Sequence, residues 1–224
     1  GYTTSNAGIA TAGAHQTTYG GGTDAFLVKF NAVGTRQWGT YYGGTSFEDG
    51  RAVAVASDGS VYLAGRTSSS AGIATAGAHQ TTLGGLYDAF LAKFNAAGVR
   101  QWGTYYGGTG TDQGLGVAVA SDGSVYLAGY TSSTAGIATA GAHQDTYGGG
   151  GDAFLAKFDA AGVRQWGTYY GGTSNDLSYS CAVASDGSVY LAGYTTSNAG
   201  IATAGAHQTT YGGGTDAFLV KFNA

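Results

Sequence analysis

Residues 53–65 read Val-Ala-Val-Ala-Ser-Asp-Gly-Ser-Val-Tyr-Leu-Ala-Gly, which is two apolar runs on either side of an Asp-Gly pair. Small and β-branched runs favour β-strands. Asp-Gly between two of them predicts a hairpin with a type I′ turn, in which both central residues have a positive φ. The stretch returns at 117–129 and, with Cys181 in place of the first valine, at 181–193. The chain therefore repeats every 64 residues, which indicates a repeat architecture.

Two more strands complete each unit. After the hairpin strands 52–56 and 61–65, residues 89–94 predict a third strand, in which Phe90, Ala92 and Phe94 share one face by the two-residue period. Residues 100–106 predict a fourth strand, which Gly107 and Gly108 end. A polar segment of about twenty residues, 67–87, separates the second strand from the third. Loops of this length inside a compact domain are usually functional or disordered.

Four antiparallel strands, joined by short hairpins and repeated in tandem, predict an all-β fold. The expected architecture is a β-propeller of four-stranded blades of about 64 residues each. One such sheet cannot bury both of its faces, whereas identical neighbours can cover them. A β-solenoid is the alternative, and the Asp-Gly hairpins disfavour it. The predicted divisions are a partial blade at 1–44, blades at about 45–108 and 109–172, and a partial blade at 173–224.

The composition argues against several classes of function. With 9 Lys and Arg against 13 Asp and Glu the net charge is −4, whereas nucleic-acid binding needs a basic patch. No apolar run approaches the roughly 18 residues of a membrane span, so we expect no membrane insertion. Cys181 is the one cysteine, which excludes an intrachain disulfide and predicts a buried, inert thiol.

Several segments, in a fixed order, resemble a known family. They are residues 53–65, Gly-Ala-His-Gln-Thr-Thr at 77–82, Asp-Ala-Phe-Leu-Ala-Lys-Phe at 88–94 and Trp-Gly-Thr-Tyr-Tyr-Gly-Gly at 102–108. Together they resemble the SBBP β-propeller repeat, and the resemblance covers the whole chain. It implies a propeller in a bacterial, usually secreted or surface-associated protein, with the first strand of each unit innermost and the fourth outermost. The family has no general catalytic residue set and its function is mostly unassigned, so the resemblance supports the fold far more than an activity. We predict a non-enzymatic scaffold or binding module without a cofactor.

The two ends of the sequence are the same piece, because residues 1–32 and 193–224 are identical. The predicted units are cut in mid-blade, so we expect self-association. Two chains would make six blades and three would make nine, with one of the identical copies redundant. Alternatively, the chain is an excerpt of a longer array whose ring closes within one molecule, or an engineered fragment. The absence of methionine indicates a fragment or a processed chain.

The copies differ mainly in two places. The residues between one unit's fourth strand and the next unit's first strand vary, at 46–51, 110–115 and 174–179, and so does the residue that ends the second strand. In a propeller both places surround the mouth of the central channel, and loops on a rigid scaffold often carry binding residues. We therefore predict a face that binds a glycan or a protein, with drift at exposed positions as the alternative. The predicted ligand-binding residues are Phe47, Glu48, Arg51, Arg66, Asp112, Gln113, Tyr130, Asp176, Tyr179 and Tyr194.

Other chemistry finds little support in the sequence. One histidine per unit, such as His15, has no second ligand nearby, and calcium needs more carboxylates than the one or two in each loop. The aspartate before each third strand, such as Asp24, is predicted to cap backbone N–H groups of its turn. The tryptophans are predicted to pack between blades rather than to stack on sugars. No nucleophile motif indicates a hydrolase, and a propeller lyase or glycosidase is the disfavoured enzyme alternative.

Overall fold

The computed structural model describes residues 1–223, which form fourteen β-strands in four antiparallel sheets. Sheet I contains β1 (Tyr2–Thr3), β2 (Asp24–Phe30) and β3 (Arg36–Tyr42). Sheet II contains β4 (Glu48–Val55), β5 (Val61–Thr67), β6 (Asp88–Phe94) and β7 (Arg100–Tyr106). Sheet III contains β8 (Asp112–Val119), β9 (Val125–Thr131), β10 (Asp152–Phe158) and β11 (Arg164–Tyr170). Sheet IV contains β12 (Asp176–Val183), β13 (Val189–Thr195) and β14 (Asp216–Phe222). Within residues 1–223 no helix is long and apolar enough to cross a membrane.

The four strands predicted for a complete unit are confirmed in sheets II and III, where sequence neighbours pair in order. The first strand begins earlier than predicted, because β4 starts at Glu48 rather than at Ala52. The prediction that all of residues 46–51 form a connection is therefore wrong, since the second half of this segment pairs with β5. A β-bulge between Gly50 and Ala52 interrupts the pairing. Bulges of this kind insert an extra residue into one strand and redirect its side chain.

The prediction of a type I′ turn at Asp-Gly is wrong. Asp58 has a negative φ, and Gly59 alone takes the left-handed conformation, with a φ of +79°. The Ala56 N–H donates to the Ser60 carbonyl over 2.8 Å, and the Gly59 N–H donates to the Ala56 carbonyl over 2.9 Å. These bonds define a three-residue hairpin loop that ends in a left-handed glycine. The Asp58 carboxylate accepts from the Ser60 N–H over 2.8 Å, which explains why aspartate suits this turn.

The sheets stack face to face in the order I, II, III, IV. Between sheets I and II, Ala25 and Leu27 pack against Phe90 and Phe94, while Leu91 points the other way into the layer between sheets II and III. This alternation follows from the two-residue period of a strand. Equivalent side chains fill the layer between sheets III and IV. Each complete sheet is therefore apolar on both faces and buries them against its neighbours.

The first strands hold neighbouring sheets together. The sheets come closest to one another at their first strands: the Cα atoms of β4 lie within 8 Å of those of β8, and those of β8 lie within 8 Å of those of β12. Parallel bridges between Thr23 and Phe47, between Tyr87 and Thr111, and between Gly151 and Asn175 join one unit to the next. The backbone contacts of the array therefore run mainly along its first strands.

The long polar segment of each unit packs along the fourth strand of its own sheet. The Thr75 N–H donates to the Gly103 carbonyl over 2.9 Å, and the Tyr105 N–H donates to the Gln80 carbonyl over 3.2 Å. Ile73 is fully buried, and its carbonyl accepts from the Tyr42 hydroxyl of sheet I over 2.8 Å. The segment is therefore an ordered bridge between neighbouring sheets.

The two outer faces of the stack expose apolar side chains that are buried elsewhere. Phe30 in sheet I is 58% exposed, whereas its counterparts Phe94 and Phe158 are fully buried. Leu219 in sheet IV is 73% exposed, whereas its counterpart Leu91 is fully buried. In sheet II, Phe94 packs toward the preceding sheet and Leu91 packs toward the following one. The outer face of sheet I therefore lacks a preceding sheet and the outer face of sheet IV lacks a following one, so each face could cover the other.

Two predictions about single side chains are confirmed. Cys181 is buried, and burial raises the pKa of its thiol to about 12. Trp38 packs between sheets I and II, where its indole N–H donates to the Ala96 carbonyl over 3.0 Å and its ring lies against Gly98. Both side chains therefore belong to the packing between units.

Candidate functional site

The two variable places of the sequence meet at one edge of the stack. In sheet II the Ser46 N–H donates to Ser69 Oγ over 2.9 Å, and the Phe47 N–H donates to Ser68 Oγ over 3.2 Å. These bonds join the start of the first strand to the end of the second. We call this edge, formed by residues 46–51 and 66–69 and their counterparts in the other sheets, the variable edge.

An aromatic–arginine cluster lies at the variable edge of sheet II and consists of Tyr2, Phe47, Arg66 and Tyr87. The guanidinium carbon of Arg66 lies 5.0 Å from the ring centroid of Phe47 and 5.2 Å from that of Tyr87. These two rings are 5.9 Å apart and stand at 87° to each other. Tyr2 extends the cluster at 6.2 Å from Phe47. Attraction between a cation and an aromatic face contributes about 0.5–2 kcal/mol and holds the guanidinium in place.

Sheets III and IV carry different groups at the same edge. Tyr130 stands where sheet II has Arg66, and its ring lies against Gly151, which replaces Tyr87. In sheet IV the ring of Tyr194 lies 5.9 Å from that of Tyr179. Each unit therefore presents a surface of its own on a common backbone.

Three further predicted residues reach solvent at this edge. Arg51 and Tyr179 lie in the β-bulges of their first strands. Arg51 is exposed and forms an ion pair of 2.6 Å with Asp49, and Tyr179 is 59% exposed. Gln113 is half-buried and pairs with Tyr130 across β8 and β9.

The remaining predicted residues, Glu48, Asp112 and Asp176, are fully buried. The Glu48 carboxylate accepts from the Thr67 hydroxyl over 2.6 Å and from the Gly44 N–H over 2.7 Å. Asp112 and Asp176 have equivalent partners in their own sheets. This corrects their predicted placement in an exposed connection. The three carboxylates secure the turn before each first strand and do not face solvent.

Each of these buried carboxylates faces a second one from the preceding unit. The pairs are Asp24 with Glu48, Asp88 with Asp112, and Asp152 with Asp176, beside Gly43, Gly107 and Gly171. Burial raises the pKa of Asp152 to about 6, and the like charge of Asp176 adds to the rise. Asp152 Oδ1 is buried and has no hydrogen-bond partner. Such a pair has the chemistry to share one proton between two carboxylates.

The predicted capping role of the aspartate before each third strand is confirmed. Asp24 accepts from the Gly20 N–H over 2.9 Å and from Gln16 Nε2 over 2.7 Å. In the described part of the chain, no group of three or more His, Cys, Asp or Glu side chains is placed to hold a metal ion. The imidazole of His15 lies 5.9 Å from the ring of Phe94 in the next sheet, and burial lowers its pKa to about 4.

A cavity of about 840 Å³ between sheets II and III contains Trp102 and Lys93 in its lining. The Trp102 indole N–H and Lys93 Nζ both donate to the Ala160 carbonyl, over 3.1 Å and 3.3 Å. Gly162 of the same turn lies against the indole ring. Trp102 is therefore fixed by contacts between units, as predicted, and its polar atom is already used within the protein.

Sequence reasoning missed Tyr2 and Tyr87. The signal for Tyr87 was present, because this position reads Thr23, Tyr87, Gly151 and Thr215 in successive units. It lies directly before the third strand, outside the two variable places singled out. Tyr2 is the counterpart of Arg66 in the first unit, and only the stacking of sheets I and II brings it to Phe47.

No protein-family model matches the chain. The chain is similar to the regulatory protein FlaEY of Caulobacter vibrioides, with 31% identity over 171 residues. The match covers 74% of this chain and 17% of FlaEY, so the chain spans less than a fifth of the length of that relative. Membership of the SBBP repeat family stays a prediction.

Proposed function

We propose that the chain is a non-enzymatic β-propeller scaffold that binds a glycan or protein ligand at its variable edge. The aromatic–arginine cluster carries this proposal. Phe47, Arg66 and Tyr87 are absent from the same positions in the other units, yet they lie in contact at one edge of an otherwise regular array. Aromatic residues and arginine dominate the binding energy of most protein interfaces.

In this proposal the four sheets are blades around a common axis. Three observations support it: the sheets stack in sequence order, each complete sheet buries both faces, and the first strands lie against one another. Tandem units that contact only their neighbours are typical of such arrays. An experimental structure of the assembled ring would give the number of blades.

The resemblance to SBBP repeats supports a place in a secreted or surface-associated bacterial protein. A propeller glycosidase would need two carboxylates that reach the substrate. Asp152 and Asp176 form the same kind of pair, but both are fully buried, which favours a structural role for them.

We also propose that the chain self-associates through its outer faces. The Phe30 face of one copy receives the Leu219 face of another, which repeats the contact already seen between sheets within the chain. Such a head-to-tail contact closes into a ring when the rotation between copies permits. Sedimentation should show a defined oligomer for the wild-type chain and a monomer for Leu219→Glu. A monomeric wild type would contradict self-association.

Ligand binding is tested with a glycan array and a protein-interaction screen, each run on the wild-type chain and on Phe47→Ala and Tyr87→Ala. A ligand of the variable edge should bind the wild type and lose at least about tenfold in affinity to each variant, since such anchors are worth 2 kcal/mol or more. Val33→Ala is the matched control, because Val33 is 84% exposed in a turn at the opposite edge. Unchanged binding by the Phe47 and Tyr87 variants would favour drift.

A further inference from the structure

Arg66 is a half-buried cation without an acceptor in the described chain. Its Nε is buried and has no hydrogen-bond partner. The other arginines are engaged, since Arg36, Arg100 and Arg164 donate to loop carbonyls and Arg51 pairs with a carboxylate. A buried donor left unsatisfied destabilises the folded chain, because the hydrogen bond that it lost to water is not replaced. The variable edge therefore holds a positive group that lacks its natural counterpart.

The carboxylate that lies opposite Arg66 in the strand pairing already has an ion-pair partner. Asp49 is the residue opposite Arg66 in the pairing of β4 with β5. Its carboxylate nevertheless forms the 2.6 Å ion pair with Arg51, the extra residue of the bulge. The bulge thus supplies Asp49 with a cation of its own and leaves Arg66 available.

Phe47 and Tyr87 hold the Arg66 guanidinium in a fixed corner. Their rings are perpendicular, and both lie within 5.2 Å of the guanidinium carbon. Packing of this kind removes side-chain freedom before a ligand arrives, so less entropy is lost on binding. Arginine suits such a place because its planar guanidinium is weakly hydrated and packs well on aromatic rings.

We propose that Arg66 binds a carboxylate of the ligand, with Phe47 and Tyr87 as the walls of the site. This inference deepens the proposed binding function and rests on it. A guanidinium presents parallel N–H donors that match the two oxygens of a carboxylate. The chain has a net charge of −4, so its overall field does not attract anions and the contact must be local. Tyr2, Tyr130 and Tyr194 replace Arg66 in the other units, so the described array has one such site.

The carboxylate has two chemical sources, a sugar acid and an acidic amino acid. Glucuronate represents the first, and N-acetylglutamate α-amide, whose one carboxylate is in its side chain, represents the second. Glucose and N-acetylglutamine α-amide are their neutral counterparts. The readout is the Arg66 Nε–Hε signal in a proton–nitrogen NMR spectrum, assigned by its loss in Arg66→Lys. Arg66 Nε is buried, so we expect the anion to contact the other N–H groups of the half-buried guanidinium. The Nε–Hε chemical shift reports that contact because all three nitrogens share one delocalised π-system.

We expect a saturable shift with at least one carboxylate and none with its neutral counterpart, and the stronger binder identifies the source. Arg66→Gln should weaken binding about tenfold or more, measured on the backbone amides around Phe47. Arg51→Gln should also weaken it, because the released Asp49 becomes an acceptor for Arg66. Arg36→Gln, at the opposite edge, is the charge-matched control and should bind as the wild type does. Thermal unfolding of each variant checks that it is folded.

Equal binding by folded Arg66→Gln would overturn the proposal, and so would equal shifts with the carboxylate and its neutral counterpart in both pairs. Inorganic sulfate that binds as tightly as both carboxylates would overturn the carboxylate preference and leave a general oxyanion site. A screened ligand that depends on Phe47 but not on Arg66 would refute this inference and leave the binding edge intact. Failure of every ligand to depend on Phe47, Tyr87 or Arg66 would refute both.

Discussion

Asp152 Oδ1 and Asp176 Oδ2 each lie 2.8 Å from the point that a Cβ atom on Gly171 would occupy. Two carboxylates from neighbouring sheets therefore meet in a site with no exposed surface. Two like charges in such a place repel each other, and burial raises the pKa of Asp152. One proton between them removes the conflict.

The stability of the array should therefore depend on pH. Asp152 has a pKa of about 6 in the folded chain, above its ordinary value near 3.8. A raised pKa means that the folded state binds the proton more tightly, so this stabilisation is fully present below about pH 4 and is lost as the pH rises through about 6. The lowered pKa values of His15 and His79 act in the opposite sense over the same range, so the Asp152 contribution is measured as a difference. The thermal midpoint of the wild type minus that of Asp152→Asn should fall as the pH rises from about 4 to about 7. Asp152→Asn should be the more stable at neutral pH, because its amide donates where the proton would sit. Asp145→Asn, an exposed aspartate, should leave the profile unchanged.

The tryptophan contacts between sheets can be measured with two glycines at equivalent places. Gly34 and Gly98 have φ values of +79° and +81°. A Cβ on Gly34 meets nothing within 4 Å, whereas one on Gly98 lies 2.8 Å from the ring of Trp38. Gly34→Ala should cost about 1–2 kcal/mol through backbone strain alone. Gly98→Ala should cost about 1–3 kcal/mol more because the indole must move. Urea denaturation measures the free energy of unfolding of both variants. Equal losses would show that the Trp38 ring moves aside without destabilising the chain.

The bridge between sheets II and III depends on one tyrosine. The Tyr106 hydroxyl donates to the Ile137 carbonyl over 2.7 Å within the buried layer. Tyr106→Phe should lower the free energy of unfolding by about 1 kcal/mol, because the carbonyl keeps a bond from Arg164. Gly167→Ala should lower it by about 2–3 kcal/mol, since an added Cβ overlaps both this hydroxyl and this carbonyl. A Gly167→Ala variant as stable as the wild type would contradict this packing.

Cys181 reports on the contact between sheets III and IV. Its thiol is buried among Tyr126, Leu191 and their neighbours, and its pKa is raised to about 12. The folded chain should therefore resist thiol reagents at pH 8, and reaction should follow unfolding in urea. Fast labelling without denaturant would show that sheet IV separates readily from sheet III.

Much of the fold follows from local sequence signals. The two-residue period of residues 89–94 predicts the third strand with Phe90 and Phe94 on one face, and the structure places Phe90 and Leu91 in opposite layers. The start of the first strand was missed because Glu48 and Asp49 are poor strand formers in isolation. Hydrogen bonds from Thr67 and Ser69, at and just beyond the end of the neighbouring strand β5, stabilise Glu48 in this place, and these partners lie about twenty residues away in sequence. The turn type was missed because Asp-Gly also fits a three-residue loop, in which only the glycine needs a positive φ.

The candidate site was predicted in part. Variation between copies pointed to Phe47 and Arg66, because both stand out in otherwise constant positions. Variation between copies could not separate accessible residues from buried ones, so the buried Asp112 and Asp176 were predicted to bind ligand together with Phe47 and Arg66. Burial is set by the stacking of sheets, which a single unit does not contain. For the same reason, Tyr2 joins the cluster only through the neighbouring sheet.

The interfaces between successive sheets are built from the same side chains, and each unit bonds to the next through the same kind of parallel bridge. Recombination between near-identical stretches of the coding sequence would add or remove 64 residues at a time without creating a new kind of interface. The same events would reorder the units and with them the side chains of the variable edge. An array of this design can therefore change its surface by rearranging whole copies while its buried layers stay constant.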